Sequence, residues 1–225
     1  MANAVEKVNT IAIADIEAIN TITDANLQAL NTLEFTGVAA DAHTLISTHT
    51  ASASSSLDIT SGIDSTYDVY EFHYVNIHPQ TEDGSFGFQV ETGSDSDYDH
   101  PMITTYFQAY YDEAGAYSPV LAYSSFNDQA TAGDGNGVFS KLAKSMGADS
   151  DEAASGILTL YDPSSTTFVK HFVNTSNNYQ LNDYTMSAYT AGYVNITAAI
   201  TRVRFQMSSG NIDEGVIKMY GLAKS

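Results

Sequence analysis

Three carboxylates at alternate positions in Asp95-Ser96-Asp97-Tyr98-Asp99-His100 have the donor spacing of an oxygen-rich calcium loop. The helix-loop-helix form of that loop needs glycine at its sixth position and a bidentate glutamate at its twelfth, and here those positions are His100 and Tyr106. A solvated acidic hairpin is the expected reading. The same holds for Asp134-Gly135-Asn136-Gly137 and Asp149-Ser150-Asp151-Glu152. No metal or other cofactor is therefore expected. Glycoside hydrolysis needs two carboxylates facing one another across a sugar-sized cleft. Asp68 and Glu71 have odd spacing, so on a strand they point to opposite faces, and the chain has no Trp to act as a sugar platform. Serine, histidine and aspartate are plentiful, but no Gly-x-Ser-x-Gly elbow exposes a nucleophile. His73 and His78 fall on opposite faces of one candidate strand, as hydrogen-bonding residues rather than paired ligands. No catalytic residue is expected. A stronger signal is the excess of Tyr, 15 against 10 Phe, because a phenol joins a stacking face to a polar tip and suits wet interfaces. Tyr106, Tyr110, Tyr111, Tyr117 and Tyr123 crowd one region between turn-rich stretches, where a sugar or a partner has room to sit, the alternative being that they fill the sandwich core and its rim.

The elements that must carry these side chains are mostly strands. From Leu57 onward the hydrophobic period is two: Val69, Glu71, His73, Val75 and Ile77 face one way, and Tyr70, Phe72, Tyr74 and Asn76 the other. Further strands are expected at 86–91, 103–111, 156–161, 167–174, 179–193, 201–207 and 216–220, with a helical turn near 139–146. In 201–207, Val203, Phe205 and Met207 alternate with Arg202, Arg204 and Gln206, which puts both arginines on the solvent face. Asp83-Gly84 and Ser209-Gly210-Asn211 supply breaks. Many strands at this spacing predict a mainly β chain, an antiparallel β-sandwich of jelly-roll type over residues 57–225. Residues 38–56, with Ser47-Thr48-His49-Thr50-Ala51-Ser52-Ala53-Ser54-Ser55-Ser56, are too small and hydroxylated to pack well and read as a linker or an extended arm.

Residues 1–37 hold an eleven-residue repeat. Val8-Asn9-Thr10-Ile11 is answered by Ile19-Asn20-Thr21-Ile22 and by Leu30-Asn31-Thr32-Leu33, and Ala14-Asp15-Ile16-Glu17-Ala18 by Ala25-Asn26-Leu27-Gln28-Ala29. Eleven residues are close to three helical turns, so a right-handed coiled coil is one reading. The Asn-Thr pairs favour another: short helical turns at 14–18 and 24–30 separated by extended corners. Fewer than three units cannot cover their own aliphatic face. Ile11, Ile16, Ile22, Leu27, Leu30 and Leu33 are accordingly expected to be an assembly surface, buried against sister copies or another protein, the alternative being an extension packed on its own domain.

Composition narrows the partners. The chain carries 27 Asp and Glu against 8 Lys and Arg, a formal charge of −19, with neither Lys nor Arg between Lys7 and Lys141. A nucleic-acid face needs clustered cations, so nucleic acid is not an expected partner. No run of apolar residues is long enough to cross a membrane, no secretory signal is readable, and membrane insertion is not expected. The absence of Cys leaves the fold indifferent to redox surroundings.

Both segments resemble virion structural proteins of marine tailed bacteriophages over nearly the whole chain. Val8 to Ala18 and Ile19 to Ala29 look like the repeat modules at the start of such proteins, with Thr in the usual Gly position. The body looks like their jelly-roll, concanavalin-like domain at Leu57-Asp58-Ile59-Thr60, Tyr67-Asp68-Val69-Tyr70-Glu71-Phe72 and Asn76-Ile77-His78-Pro79. The resemblance continues at 163–172, at Ser208-Ser209-Gly210-Asn211-Ile212-Asp213 and at Ile217-Lys218-Met219-Tyr220-Gly221. It implies a non-enzymatic particle component located in the virion: a tail fibre, a capsid decoration protein or a host-recognition module that contacts other virion proteins and a host surface glycan. The three-fold habit of phage fibres implies a homotrimer. The alternative from another class is a carbohydrate-binding lectin or a glycan-degrading enzyme.

Overall fold

The computed structural model describes residues 43–93, 96–116, 118–124 and 139–222. The repeat and its six aliphatics lie outside the described residues. What is described is all β: twelve strands and no helix. In chain order they are β1 (His43–Ser54), β2 (Leu57–Ile59), β3 (Val69–Pro79), β4 (Gly84–Glu91), β5 (Met102–Asp112), β6 (Val120–Tyr123), β7 (Ser140–Met146), β8 (Ala154–Tyr161), β9 (Lys170–Gln180), β10 (Tyr184–Val194), β11 (Arg202–Met207) and β12 (Ile212–Leu222). All pairings are antiparallel, in the order β1-β12-β3-β8-β9-β7-β4-β11-β2, with β10, β5 and β6 continuing from the other edge of β9. The ends of the path, β1 and β2, are consecutive in the chain and pack together, so the sheet nearly closes into a barrel.

The core follows from the period-two pattern. Tyr70, Phe72 and Tyr74 of β3, Phe86, Phe88 and Val90 of β4, Leu158 and Leu160 of β8 and Val203 and Phe205 of β11 are all buried in one cluster. Phe205 is its hub, with ring centroids 5.6 Å from Phe72, 5.8 Å from Phe86 and 6.4 Å from Phe88. Arg202 and Arg204 share the opposite face, half-buried, as their alternation requires.

Several boundaries differ from the sequence reading, each for a local reason. The Ser/Thr/Ala-rich stretch is extended as β1, because backbone pairing with β12 from His43↔Leu222 to Ser54↔Ile212 needs no large side chain. The alternation of β3 fails after Val75. Asn76 takes φ 51°, the ladder slips, and Ile77 turns into the core instead of sharing the outward face of Glu71 and His73. Gly215 of β12, at φ 131°, sits against this bulge, where a Cβ would lie 2.8 Å from the Asn76 carbonyl oxygen. Residues 179–193 are not one strand: the chain reverses at 181–183, so β9 and β10 form a hairpin. The expected helical turn at 139–146 is β7, whose paired edge runs along β4.

The other edge of β7 explains a feature that the hydrophobic pattern obscures. Its only backbone pair with β9 is Met146↔Gln180. Side chains close the rest of the gap: Asn174 Nδ2 and Ser176 Oγ donate to the Leu142 carbonyl at 3.1 and 2.7 Å, Asn178 Nδ2 to the Lys144 carbonyl at 3.2 Å, and Thr190 Oγ1 to the Lys141 carbonyl at 2.8 Å. Buried carbonyls without a ladder must find donors somewhere, and here polar inward residues of β9 and β10 provide them.

Candidate binding surface

The tyrosines grouped by sequence separate in the structure. Tyr106 is fully buried, and its phenol pKa is raised by that burial; it cannot meet a ligand at the surface. Tyr110 shares its inward face and is half-buried, its ring 5.7 Å from Tyr184. Tyr111 and Tyr123 point outward and are 42% and 60% exposed. Tyr117 lies outside the described residues.

Two residues that the reading missed complete the outward group. Phe107 of β5 stands opposite Tyr189 of β10 on one side and Tyr123 of β6 on the other. The Phe107 and Tyr189 rings are nearly parallel, 11° apart, with centroids 4.9 Å apart. That separation matches the spacing of neighbouring strands, so the rings stand side by side on the sheet. Leu121 of β6, opposite Ala109, is 76% exposed. Register extends this face across β9 and β8: Tyr189 lies beside Thr175 and then Ile157, and Ala191 beside Val173 and then Thr159. The signal for Phe107 and Tyr189 is present in the sequence as odd positions of two alternating strands, but only the register shows that they are neighbours.

The outward positions of β6, β5, β10, β9 and β8 carry no Asp, Glu, Lys or Arg. Of the ten exposed large hydrophobic side chains among the described residues, seven lie on these five strands: Phe107, Tyr111, Leu121, Tyr123, Tyr161, Val173 and Tyr189. In a chain of charge −19, a face this broad without a carboxylate is the least expected part of the surface. Charge returns at its borders. At the hairpin end the Tyr179 hydroxyl donates to Glu113 Oε2 at 2.5 Å, and the neighbouring carboxylates raise its pKa. On the far side, His43 and His73 both direct Nε2 at Glu71 Oε2, at 3.1 and 2.8 Å.

The acidic loops are organised by groups outside their own motifs. In the 96–100 segment Asp97 and Asp99 are exposed while Tyr98 is buried; Asp95 lies outside the described residues. The buried carboxylate of Glu91 holds the loop, accepting N–H from Thr92 at 2.6 Å and Tyr98 at 2.9 Å and meeting His100 Nε2 at 2.9 Å. Beneath it, the Arg204 guanidinium lies 4.0 Å from the Tyr98 ring centroid and is bidentate to Asp58, at 2.7 and 2.5 Å. Both partners' charged forms are favoured: the Asp58 carboxyl is held below its usual range and the Arg204 pKa is raised. Asp134 to Gly137 lies outside the described residues. No group of three or more metal-ligating side chains converges among the described residues.

At 149–152 the Glu152 side chain folds back to accept the Asp149 N–H at 2.7 Å. Its pKa is raised, chiefly by burial and further by the charges of Asp149, Glu82 and Asp151, while the Asp149 N–H acts the other way. A carboxyl with a raised folded-state pKa holds its proton more tightly folded than unfolded, so its contribution is full below the ordinary glutamate value and is lost as pH rises through the folded value. Glu152→Gln keeps an acceptor oxygen and removes the charge. It is expected to raise the melting temperature at pH 8 and leave it nearly unchanged at pH 4, measured by circular dichroism. An equal shift at both pH values would show that charge is not the cause.

No family model, curated protein or solved structure matches this chain.

Proposed function

We propose that the chain is a non-enzymatic structural component of a bacteriophage virion, a fibre or decoration protein anchored by its N-terminal repeats. The observation that carries this reading is the broad uncharged face on a strongly acidic, antiparallel β body, a surface built to be covered by another molecule rather than to turn over a substrate. The repeat supplies a second surface to be covered. Its aliphatics are worth about 1.5–3 kcal/mol each on burial, against ordering costs of about 1–2 kcal/mol per residue, so a shared interface is needed to organise it. On this reading the repeat joins sister copies, as a homotrimer, or joins another virion protein.

We further propose that the body is a jelly-roll sandwich. Support comes from the nesting of its pairs: β1 with β12, β2 with β11, β3 with β8 and β4 with β7, giving runs β1-β12-β3-β8 and β2-β11-β4-β7. Those are the orders produced when a long antiparallel ribbon of four strands against four is wound around a core. The β5–β6 and β9–β10 hairpins are then insertions that widen the first run.

Mass spectrometry of particles purified from an infected culture tests the virion reading: the chain is expected at stoichiometric abundance. Its absence from particles, with retention on a glycan array, would favour the lectin or glycan-degrading alternative. Deleting residues 1–35 is expected to leave a folded β body that no longer enters particles. Normal incorporation of the truncated chain would show that the repeat is not the anchor.

A further inference from the structure

We propose that the uncharged face of β6, β5, β10, β9 and β8 is a homotypic interface, on which a second copy of this chain packs face to face. The inference rests on the reading of the chain as an assembled structural component and names the occupant of that surface.

Charge selects the occupant's geometry. Two copies each carrying −19 repel wherever their acidic surfaces meet, and this face is a wide area that each copy offers without a carboxylate. Size agrees. Five strands at about 4.8 Å spacing and about 3.3 Å per residue give a face of roughly 24 by 30 Å, in the range of the ~800 Å² per partner that a stable interface buries.

Two polar side chains of the face are already bonded within it. Asn177 Nδ2 is occupied by Thr185 Oγ1 at 3.0 Å, the Met186 carbonyl at 3.2 Å and Ser187 Oγ at 3.3 Å, and Thr105 Oγ1 donates to the Ala191 carbonyl at 3.4 Å. Groups already bonded to one another can be covered at little cost in lost hydrogen bonds to water. Phe107 and Tyr189 each use one ring face on the other, which leaves less open ring for a sugar to stack on. Identical faces paired in this way are related by a two-fold axis.

The test is the mass of the full-length chain by sedimentation and light scattering over a range of concentration and salt. Leu121→Glu with Tyr189→Glu, both at exposed positions, is expected to weaken association by about 100-fold or more and halve the mass. Leu45→Glu, a 51% exposed position on β1, three strands beyond the β8 edge of the face, is the control and is expected to keep the native mass. Association is expected to tighten from 0.1 to 1 M NaCl, as screening of the acidic bodies shortens from about 10 to about 3 Å. An unchanged mass for the double variant, or its fold reproduced by Leu45→Glu, overturns the proposal. A native chain that is monomeric throughout also overturns it, and retardation of that monomer by neutral polysaccharide through Leu121 and Tyr189 would assign the face to a glycan. Absence from virions with the mass result intact would sink only the virion reading.

Discussion

Phe205→Ala is expected to destabilise the β body by about 3–5 kcal/mol, among the largest effects of any single substitution in the core. Phe205 is fully buried on β11, between β4 and β2, and its ring meets Phe72, Phe86 and Phe88. Phe88 in turn packs edge-on against Phe172 of β9 at 4.9 Å, and Phe86 against Tyr74 of β3 at 5.3 Å. Truncation removes the transfer free energy of one ring and leaves a hole bordered by three others that cannot all collapse, because Phe86 and Phe88 are each held by a different neighbour. Denaturant unfolding read by tyrosine fluorescence measures the loss as a lower midpoint at unchanged slope. Phe205→Leu should lose less than half as much. A cost under about 1.5 kcal/mol for Phe205→Ala would mean that the cluster repacks and that Phe205 is not its hub.

Asn174→Ala is the second large effect, expected at about 3 kcal/mol, and it acts through hydrogen bonds more than volume. Asn174 is fully buried on β9. Its Nδ2 donates to the Leu142 carbonyl of β7 at 3.1 Å, and its Oδ1 accepts from the buried Tyr74 hydroxyl at 2.7 Å, so one amide bridges β3, β9 and β7 where no backbone ladder joins β7 to β9. Losing it takes a partner from two buried groups at once. The control is a double-mutant cycle: Tyr74→Phe should cost clearly less in the Asn174→Ala background than in the native chain, because the hydroxyl it removes has already lost its 2.7 Å bond to Asn174. Additive costs would show that the bridge contributes nothing.

Much of the architecture was legible because strands write a period of two into the chain. The buried triplet of β3, the core positions of β11 and the shared face of Arg202 and Arg204 all follow from alternation alone. Net charge, likewise, is read from the sequence whatever the fold. Periodicity failed where the backbone departs from regular pairing. Asn76 reverses the faces of β3 through a positive φ that no hydrophobic pattern encodes, and β9 carries Asn174, Ser176 and Asn178 inward because β7 lacks a ladder partner there. The candidate site divides along the same line. Alternation alone puts Tyr106 and Tyr111 on opposite faces, whereas their proximity in sequence suggested a single cluster. Tyr189 joins Phe107 from 82 residues away only through the β5 and β10 register. A sequence determines which residues share a strand face, since that is a local property of the backbone. Which faces lie side by side, and whether together they make a surface without charge, is decided by strand order, and strand order is set by long-range pairing.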